Sequence, residues 1–122
     1  MSPTQRTLAE LRKRGYIAHI VEKWNPFAKI RQDFGGFADI LAYKPEIPGV
    51  LAIQTTSDSN IANRVAKSSQ NSNLRAWLAS GASFEVWGWG RKGKRGKRKI
   101  WTLRSVSIKR LDQWGNERWG AE

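Results

Sequence analysis

Two short apolar segments bounded by turn residues constrain the fold of this chain most strongly. They span residues 35–43 and 49–57, and each has the pattern of a β-strand that is buried on both faces. Each segment nevertheless contains a polar side chain, Asp39 in the first and Gln54 in the second. Because burial of an unpaired carboxylate costs several kcal/mol, we interpret these two positions as part of a functional site at the ends of neighbouring strands.

The sequence before these segments predicts a helix followed by a strand. Ser2 and Pro3 are typical of a helix N-terminus, and Gly15 is typical of its end. Residues 16–24 are rich in β-branched and aromatic side chains, which favours a strand. The segment that follows, up to Gly36, is expected to be a loop that either contacts a phosphate backbone or is a solvated connection.

The sequence after them predicts a mixed sheet. The two central strands, at about 37–43 and 50–56, are close enough along the chain to form an antiparallel hairpin. Residues 57–60 supply capping side chains for a following helical region, which ends at Gly81. The next strand, 83–89, is expected to lie parallel to the second central strand through a right-handed crossover. The predicted fold is an α/β domain with a mixed central sheet flanked by helices.

The charge of the chain points to a polyanionic partner. The 122 residues, which we expect to form a single domain, include 22 Lys and Arg against 10 Asp and Glu, a net charge of +12. DNA or RNA is the leading candidate for the partner. An anionic membrane is a weaker one, because no long basic amphipathic helix is visible. A basic surface without a nucleic-acid partner and a ribosome-associated protein remain as alternatives.

The densest positive charge lies at residues 91–99, where seven of the nine side chains are cationic. Interspersed glycines favour a loop that orders on phosphate contact, the alternative being a solvated loop. Residues 99–111 are expected to pair with the strand of Trp87 as a basic C-terminal β-hairpin, and Trp87 and Trp89 are interpreted as packing residues. The expected nucleic-acid-binding residues are Lys29, Arg31, Arg64, Arg91, Lys92, Lys94, Arg95, Lys97 and Arg98.

Several classes of protein are excluded by the residues that the chain lacks. It has no Cys and a single histidine, His19. Disulfide frameworks and thiolate zinc sites are therefore excluded, and neither a His-based metal cluster nor a Ser-His-Asp triad is expected. No apolar segment approaches the thickness of a bilayer and no signal-peptide pattern is visible, so a cytoplasmic location is expected.

The order of elements and the polar residues on them resemble the PD-(D/E)XK nuclease superfamily, in particular the small archaeal-type Holliday junction resolvases and related phage-encoded nucleases. The resemblance covers about residues 4–90 and implies a restriction-endonuclease-like αβββαβ core. In that family a helix Glu, a strand Asp and an (E/Q)-x-K motif on the next strand surround a divalent metal. Glu10, Asp39 and Gln54 match these positions, whereas Thr56 stands where the family has Lys.

The resemblance implies a Mg²⁺- or Mn²⁺-dependent endodeoxyribonuclease, with branched DNA such as Holliday junctions among its expected substrates and a homodimer as its expected assembly. Oxygen ligands of this kind suit Mg²⁺, which also keeps positions for water and phosphate. Thr56 can form a hydrogen bond but carries no charge, so Lys67 on the following helix is the candidate for the catalytic cation, with Arg64 behind it. The implied metal ligands are Asp39, Gln54, the carbonyl of Thr55 and Glu10.

The missing motif lysine leaves a second interpretation open. A non-catalytic DNA- or RNA-binding protein with the same fold would also have a basic surface, and Thr56 would then mark a lost activity. A basic RNA-binding protein is a third interpretation, although the sequence contains no aromatic RNA-recognition motif.

Overall fold

The fold is an α/β domain with a mixed central sheet, as the sequence predicts. A computed structural model describes residues 1–109 and the backbone of residues 119–121. The six-stranded sheet has the order β1-β4-β5-β6-β7-β8, and β2 and β3 form a separate two-stranded sheet. The elements are α1 (Pro3–Lys13), β1 (Ile17–Ile20), β2 (Lys23–Asn25), β3 (Ile30–Gln32), β4 (Ile40–Lys44), β5 (Ile47–Ser57), a 3-10 helix (Asp58–Asn60), α2 (Ile61–Ser68), α3 (Ser72–Ala79), β6 (Ser83–Lys92), β7 (Ile100–Ile108) and β8 (Trp119–Ala121).

Helix α1 covers one face of the sheet. Its predicted start is confirmed, since the Ser2 hydroxyl accepts a hydrogen bond from the Gln5 N–H at 3.2 Å. Leu8 and Leu11 are buried on the inner side of the helix. They pack in one cluster with side chains of β4, β5 and β6 that include Trp87. The apolar face of α1 therefore fixes its N-terminal end over β5.

Helices α2 and α3 cover the opposite face. Ile61 and Leu74 pack there against Phe84 and Val86 of β6. Gly88 lies below the start of α2, and a Cβ atom at this position would overlap Ile61 and come within 2.9 Å of the Asp58 Cα. The glycine thus allows the backbone that follows β5 to lie directly on the sheet.

The strand pairing around β5 agrees with the predicted topology. Strands β4 and β5 are antiparallel, with Ile40 opposite Ile53. Strands β5 and β6 are parallel, from Leu51 opposite Ser83 to Ser57 opposite Trp89. Every residue from 51 to 56 is buried, as expected for a strand covered on both faces.

The pairing of β6 with β7 brings the basic segment to one end of the sheet. These two strands are antiparallel, and residues 93–99 connect them. The interpretation of Trp87 and Trp89 as packing residues is confirmed, because both are buried. The end of the predicted strand beyond residue 109 lies outside the described residues.

Four local predictions are wrong. The single strand predicted at 16–24 is interrupted after Ile20, and residues 23–25 pair instead with 30–32, so the expected loop is a β-hairpin. Asp39 precedes its strand rather than lying inside it, and β4 begins at Ile40. The helix after β5 begins with a 3-10 turn, in which neither Ser57 nor Asn60 forms a side-chain cap.

Candidate metal and nucleic-acid site

Asp39 is held rigidly at the point where β1, β4 and β5 meet. Its backbone N–H donates to the Ile53 carbonyl at 2.9 Å, and its carbonyl accepts from the Val21 N–H at 2.8 Å. Its side chain is only 5% exposed. The carboxylate Oδ2 accepts hydrogen bonds from the Thr55 N–H at 2.8 Å and from the Thr55 hydroxyl at 3.2 Å. These bonds replace part of the hydration that the carboxylate loses on burial.

Three carboxylates converge beside this position. One oxygen each of Glu22, Asp33 and Asp39 lies within 4.8 Å of the other two. Glu22 directly precedes β2 and Asp33 directly follows β3, so pairing of the two strands brings both acids to the base of the hairpin. Such a group of like charges is unfavourable unless a proton or a cation neutralises part of it.

The pKa of Asp33 reflects this crowding. Burial, the charge of Asp39 and the hydrogen bond between the two carboxyl groups raise the pKa of Asp33 from 3.8 to about 6, although the charges of Arg64 and Lys67 oppose the shift. Burial also raises the pKa of Asp39, and the hydrogen bond from the Thr55 N–H opposes that rise. The cluster thus favours an additional positive charge among its oxygens.

Gln54 and Thr56 lie next to the acids. The side chain of Gln54 is buried, and its Nε2 donates to Asp33 Oδ2 at 3.0 Å. Thr56 is buried as well, and its hydroxyl accepts from Asn60 Nδ2 at 3.3 Å. Both residues line the same cavity as Asp39, and the neutral threonine at position 56 leaves the motif position without a cation.

A cavity of about 410 Å³ is lined by the three acids, Gln54 and Thr56, and by one arginine. Arg64 of α2 lines it, and the Nε atom of Arg64 is buried with no hydrogen-bond partner among the described residues. Lys67 is exposed and is not among the lining residues, although its charge acts on Asp33. The lining residues are Pro3, Thr4, Glu22, Asp33, Asp39, Gln54, Thr55, Thr56, Ser57 and Arg64.

Glu10 does not join this group, which corrects the expectation that it lies beside Asp39. The N-terminal end of α1 approaches the cavity, where the Thr4 and Thr55 hydroxyls are 2.9 Å apart. Glu10 is six residues further along, which places it about 9 Å along the helix axis. Its Oε2 forms an ion pair with Arg14 Nε at 2.8 Å.

Glu22 and Asp33 are the site residues that sequence reasoning missed. Glu22 was assigned to the interior of a strand and Asp33 to an open loop. The signal was the turn at Asn25-Pro26, which ends β2 and allows the chain to return as β3. Interpreting residues 23–32 as a hairpin would have brought the two acids together.

The cavity and the basic segment lie at the same edge of the sheet. Because β5 and β6 are parallel, the carboxyl end of β5, with Thr56 and Ser57, lies beside the carboxyl end of β6. The chain continues from this end of β6 into residues 91–99, whose cationic side chains are exposed. Lys92 is held by an ion pair with Asp58, with the Nζ and Oδ2 atoms 2.7 Å apart.

Two further predicted cations lie on the β2–β3 hairpin, and a third, Arg64, lines the cavity from α2. Lys29 and Arg31 are both exposed, and Arg31 is 3.4 Å from Glu22. The expected nucleic-acid-binding residues therefore flank the cavity on two sides, from the hairpin and from the segment that follows β6.

The fold and this site define a basic α/β domain with a carboxylate cluster at the carboxyl ends of its parallel strands. No protein-family model matches the chain, and no similar protein was found among curated proteins or solved structures. None of the described helices combines the length and the apolar character needed to cross a bilayer.

Proposed function

We propose that this chain is a metal-dependent DNA endonuclease with a restriction-endonuclease-like fold. The observation that carries the proposal is the convergence of Glu22, Asp33 and Asp39 in a cavity that also contains Arg64. The acids supply hard oxygen ligands and the arginine supplies a phosphate-binding group. A metal-dependent nuclease can use both, the acids to hold the ion and the arginine to bind the phosphate.

The residues present fit a Mg²⁺ or Mn²⁺ ion. Carboxylate and amide oxygens are the ligands these ions prefer, and one oxygen of each of the three acids lies within 4.8 Å of the other two. Asp39, Asp33 and Glu22 would hold the ion, and Gln54 and the Thr55 carbonyl are additional oxygen donors nearby. When bound, such an ion activates water and neutralises charge on the phosphoryl oxygens.

The residues of the chain have distinct roles in this proposal. The hydrogen bonds from Thr55 fix the orientation of Asp39, so the ligand geometry is set before substrate binds. The Arg64 guanidinium takes the role expected of a motif lysine. It binds a phosphoryl oxygen and stabilises the charge that develops as the phosphodiester breaks. The position of Arg64 in the lining of the cavity, which does not include Lys67, supports this assignment.

The basic segment at 91–99 extends the phosphate-binding surface beyond the cavity. It binds the DNA backbone without reading sequence. Because the cavity and this segment share one edge of the sheet, a single backbone can contact both. Branched junctions are the proposed preferred substrates, and a homodimer that acts on two strands is the proposed assembly.

Cleavage assays with a charge-matched control test the nuclease proposal. Supercoiled plasmid and synthetic four-way junctions are incubated with Mg²⁺ or Mn²⁺, and products are resolved on denaturing gels. Asp39→Asn should abolish cleavage, whereas Glu46→Gln, which neutralises an exposed acid outside the cavity, should leave it unchanged. Metal-dependent cutting that survives Asp39→Asn would refute the assignment of the site.

One observation favours a second candidate function, a non-catalytic DNA-binding protein. Thr56 stands where a nuclease of the resembled family has its lysine, and its hydroxyl is engaged by Asn60. In that case DNA binds with a steep dependence on salt, and neither Mg²⁺ nor Mn²⁺ yields cleavage.

A further inference from the structure

The β2–β3 hairpin displays large apolar side chains to solvent. Phe27 is 97% exposed, Trp24 is 58% exposed and Ile30 is 51% exposed. The hairpin is separate from the six-stranded sheet, since β2 and β3 form a two-stranded sheet of their own. These side chains therefore contribute little to the core and are available for contact with a partner.

The tip of the hairpin has a defined conformation. The side-chain oxygen of Asn25 accepts hydrogen bonds from the backbone N–H groups of Phe27 and Ala28, at 3.0 and 3.1 Å. This is an Asx turn, which fixes the backbone at the point where the chain reverses. Lys29 completes the reversal with a positive φ of 54°. The Phe27 ring is thus presented by an ordered turn, so less conformational entropy is lost when the ring binds a partner.

The surroundings of the apolar side chains indicate which partner they contact. Lys23, Lys29 and Arg31 alternate with them along the hairpin and are exposed. Flat aromatic rings among cations are suited to nucleic acid, whose bases stack on the rings while its phosphates pair with the charges. A purely apolar protein partner would not require these cations.

The base of the hairpin lies at the acid cluster. Glu22 and Asp33, which flank the two strands, both contribute oxygens to the candidate metal site. Phe27 lies five residues along the chain from Glu22, a distance of at most about 17 Å for an extended strand. The ring therefore lies within about five base steps of the phosphate that the site would bind, since successive phosphates of one strand are about 3.4 Å apart along the helix axis.

We propose that the β2–β3 hairpin is a base-stacking arm, which inserts Phe27 against an unpaired or unstacked base beside the bound phosphate. This inference rests on the proposed function for its partner, DNA, and adds a physical reason for a preference for junctions, forks and bulges, where bases are already exposed. Opening a perfect duplex costs a few kcal/mol per step, so the arm favours branched over fully paired DNA.

Fluorescent junctions test the arm independently of cleavage. A synthetic four-way junction carries 2-aminopurine at the branch point, and a duplex of the same sequence carries it at a paired position. Binding and fluorescence are measured in Ca²⁺, before any Mg²⁺ or Mn²⁺ is added. Wild-type protein should raise the fluorescence of the junction and not that of the duplex.

Substitutions at the tip define the contribution of the ring. Phe27→Ala should weaken junction binding by about tenfold, as expected for the loss of one base–aromatic stack, and should remove the fluorescence increase. Phe27→Tyr should retain both, since it keeps the ring. Ile47→Ala, at an exposed apolar position at the start of β5, is the control and should match the wild type. Phe27 has almost no packing to lose, so equal thermal midpoints should show that all variants are folded.

Three outcomes would overturn the arm. The first is that Phe27→Ala matches the wild type in junction affinity and fluorescence. The second is that Phe27→Ala dissociates a dimer in sedimentation experiments without changing junction affinity, which would make the tip a self-association surface. The third is that the wild type fails to bind DNA. Protein that unstacks the junction in a Phe27-dependent way but never cuts it in Mn²⁺ supports the arm and refutes the nuclease. DNA cleavage that is unchanged in Phe27→Ala supports the nuclease and refutes the arm.

Discussion

Glu10→Gln and Glu22→Gln form the most direct test of the candidate metal site. Both substitutions remove one negative charge and keep the size of the side chain. The family resemblance assigns the metal-ligand role to Glu10, whereas the structure places Glu22 with Asp33 and Asp39. The two variants therefore distinguish the resemblance from the observed geometry.

The expected magnitudes follow from the environments of the two acids. Glu10 forms an i,i+4 pair with the half-exposed Arg14, and such pairs contribute about 0.3–0.5 kcal/mol. Glu10→Gln should therefore change metal affinity and cleavage rate by less than about twofold. A carboxylate about 4 Å from a divalent ion is attracted by about 8 kcal/mol at an effective dielectric constant of about 20. Desolvation of both groups offsets most of this attraction.

A remaining loss of about 2–3 kcal/mol corresponds to about 30- to 150-fold weaker Mn²⁺ binding in Glu22→Gln. Isothermal titration with Mn²⁺ measures the affinity, and single-turnover cleavage of a junction measures the rate. Glu46→Gln serves as the charge control. Wild-type affinity in Glu22→Gln together with a large loss in Glu10→Gln would refute the assignment of the three-acid cluster.

Three further predictions address the cation in the cavity, the basic segment and the acid cluster. Arg64→Ala should slow single-turnover cleavage by about 100-fold, the effect of losing one preorganised charge-stabilising group, whereas Lys67→Ala should change it by less than about threefold. Replacing Lys94, Arg95, Lys97 and Arg98 by serine should reduce the magnitude of the slope of log affinity against log salt concentration by about 3.6, since each phosphate contact contributes about 0.9. Fluorescence anisotropy at several salt concentrations measures this slope. In EDTA, the free energy of unfolding should fall as pH rises from about 4 to 6. The reason is that the raised pKa of Asp33 lets the folded state retain a proton that the unfolded state has lost. Urea unfolding at several pH values measures this fall, which should be absent in Asp33→Asn.

Each of these predictions has an outcome that contradicts it. Equal losses in Arg64→Ala and Lys67→Ala would mean that α2 contributes general positive charge rather than a specific phosphate ligand. An unchanged salt slope would remove the segment at 91–99 from the DNA-binding surface. An identical pH dependence in Asp33→Asn and the wild type would mean that Asp33 is not the group whose proton is retained.

The central part of the fold could be predicted because each of its elements has a strong local signal. The Ser2 cap and the leucines of α1 follow from capping and helical periodicity. The continuous apolar segment at 50–56 identifies a strand buried on both faces. The length of the connection to residue 83 then leaves room for the helices that a parallel crossover needs.

The site could be predicted only in part, because its acids come together through tertiary contacts. Asp39 and Gln54 were recognisable as polar residues in apolar segments. Glu22 lies in an apolar segment that predicts a single strand and Asp33 lies in a polar segment that predicts a loop, and neither context distinguishes a metal ligand from a solvated acid. The strands between them are three residues each, too short to show an alternating pattern. Glu10 matched the family motif, but the packing of Leu8 and Leu11 sets the rotation of α1, and Glu10 faces Arg14 as a result.

The β2–β3 hairpin lies between Glu22 and Asp33, so it connects the candidate metal site to the proposed base-stacking residue at its tip. An ion held by both acids would close residues 22–33 into a ring, and such a clip reduces the number of conformations open to the segment. The loaded protein should then hold its aromatic tip more steadily than the empty one. By thermodynamic reciprocity, a nucleic acid that fixes the tip should raise the affinity of Glu22 and Asp33 for the ion. The ion and the nucleic acid would in this way each raise the binding affinity of the other, although they contact opposite ends of the β2–β3 hairpin.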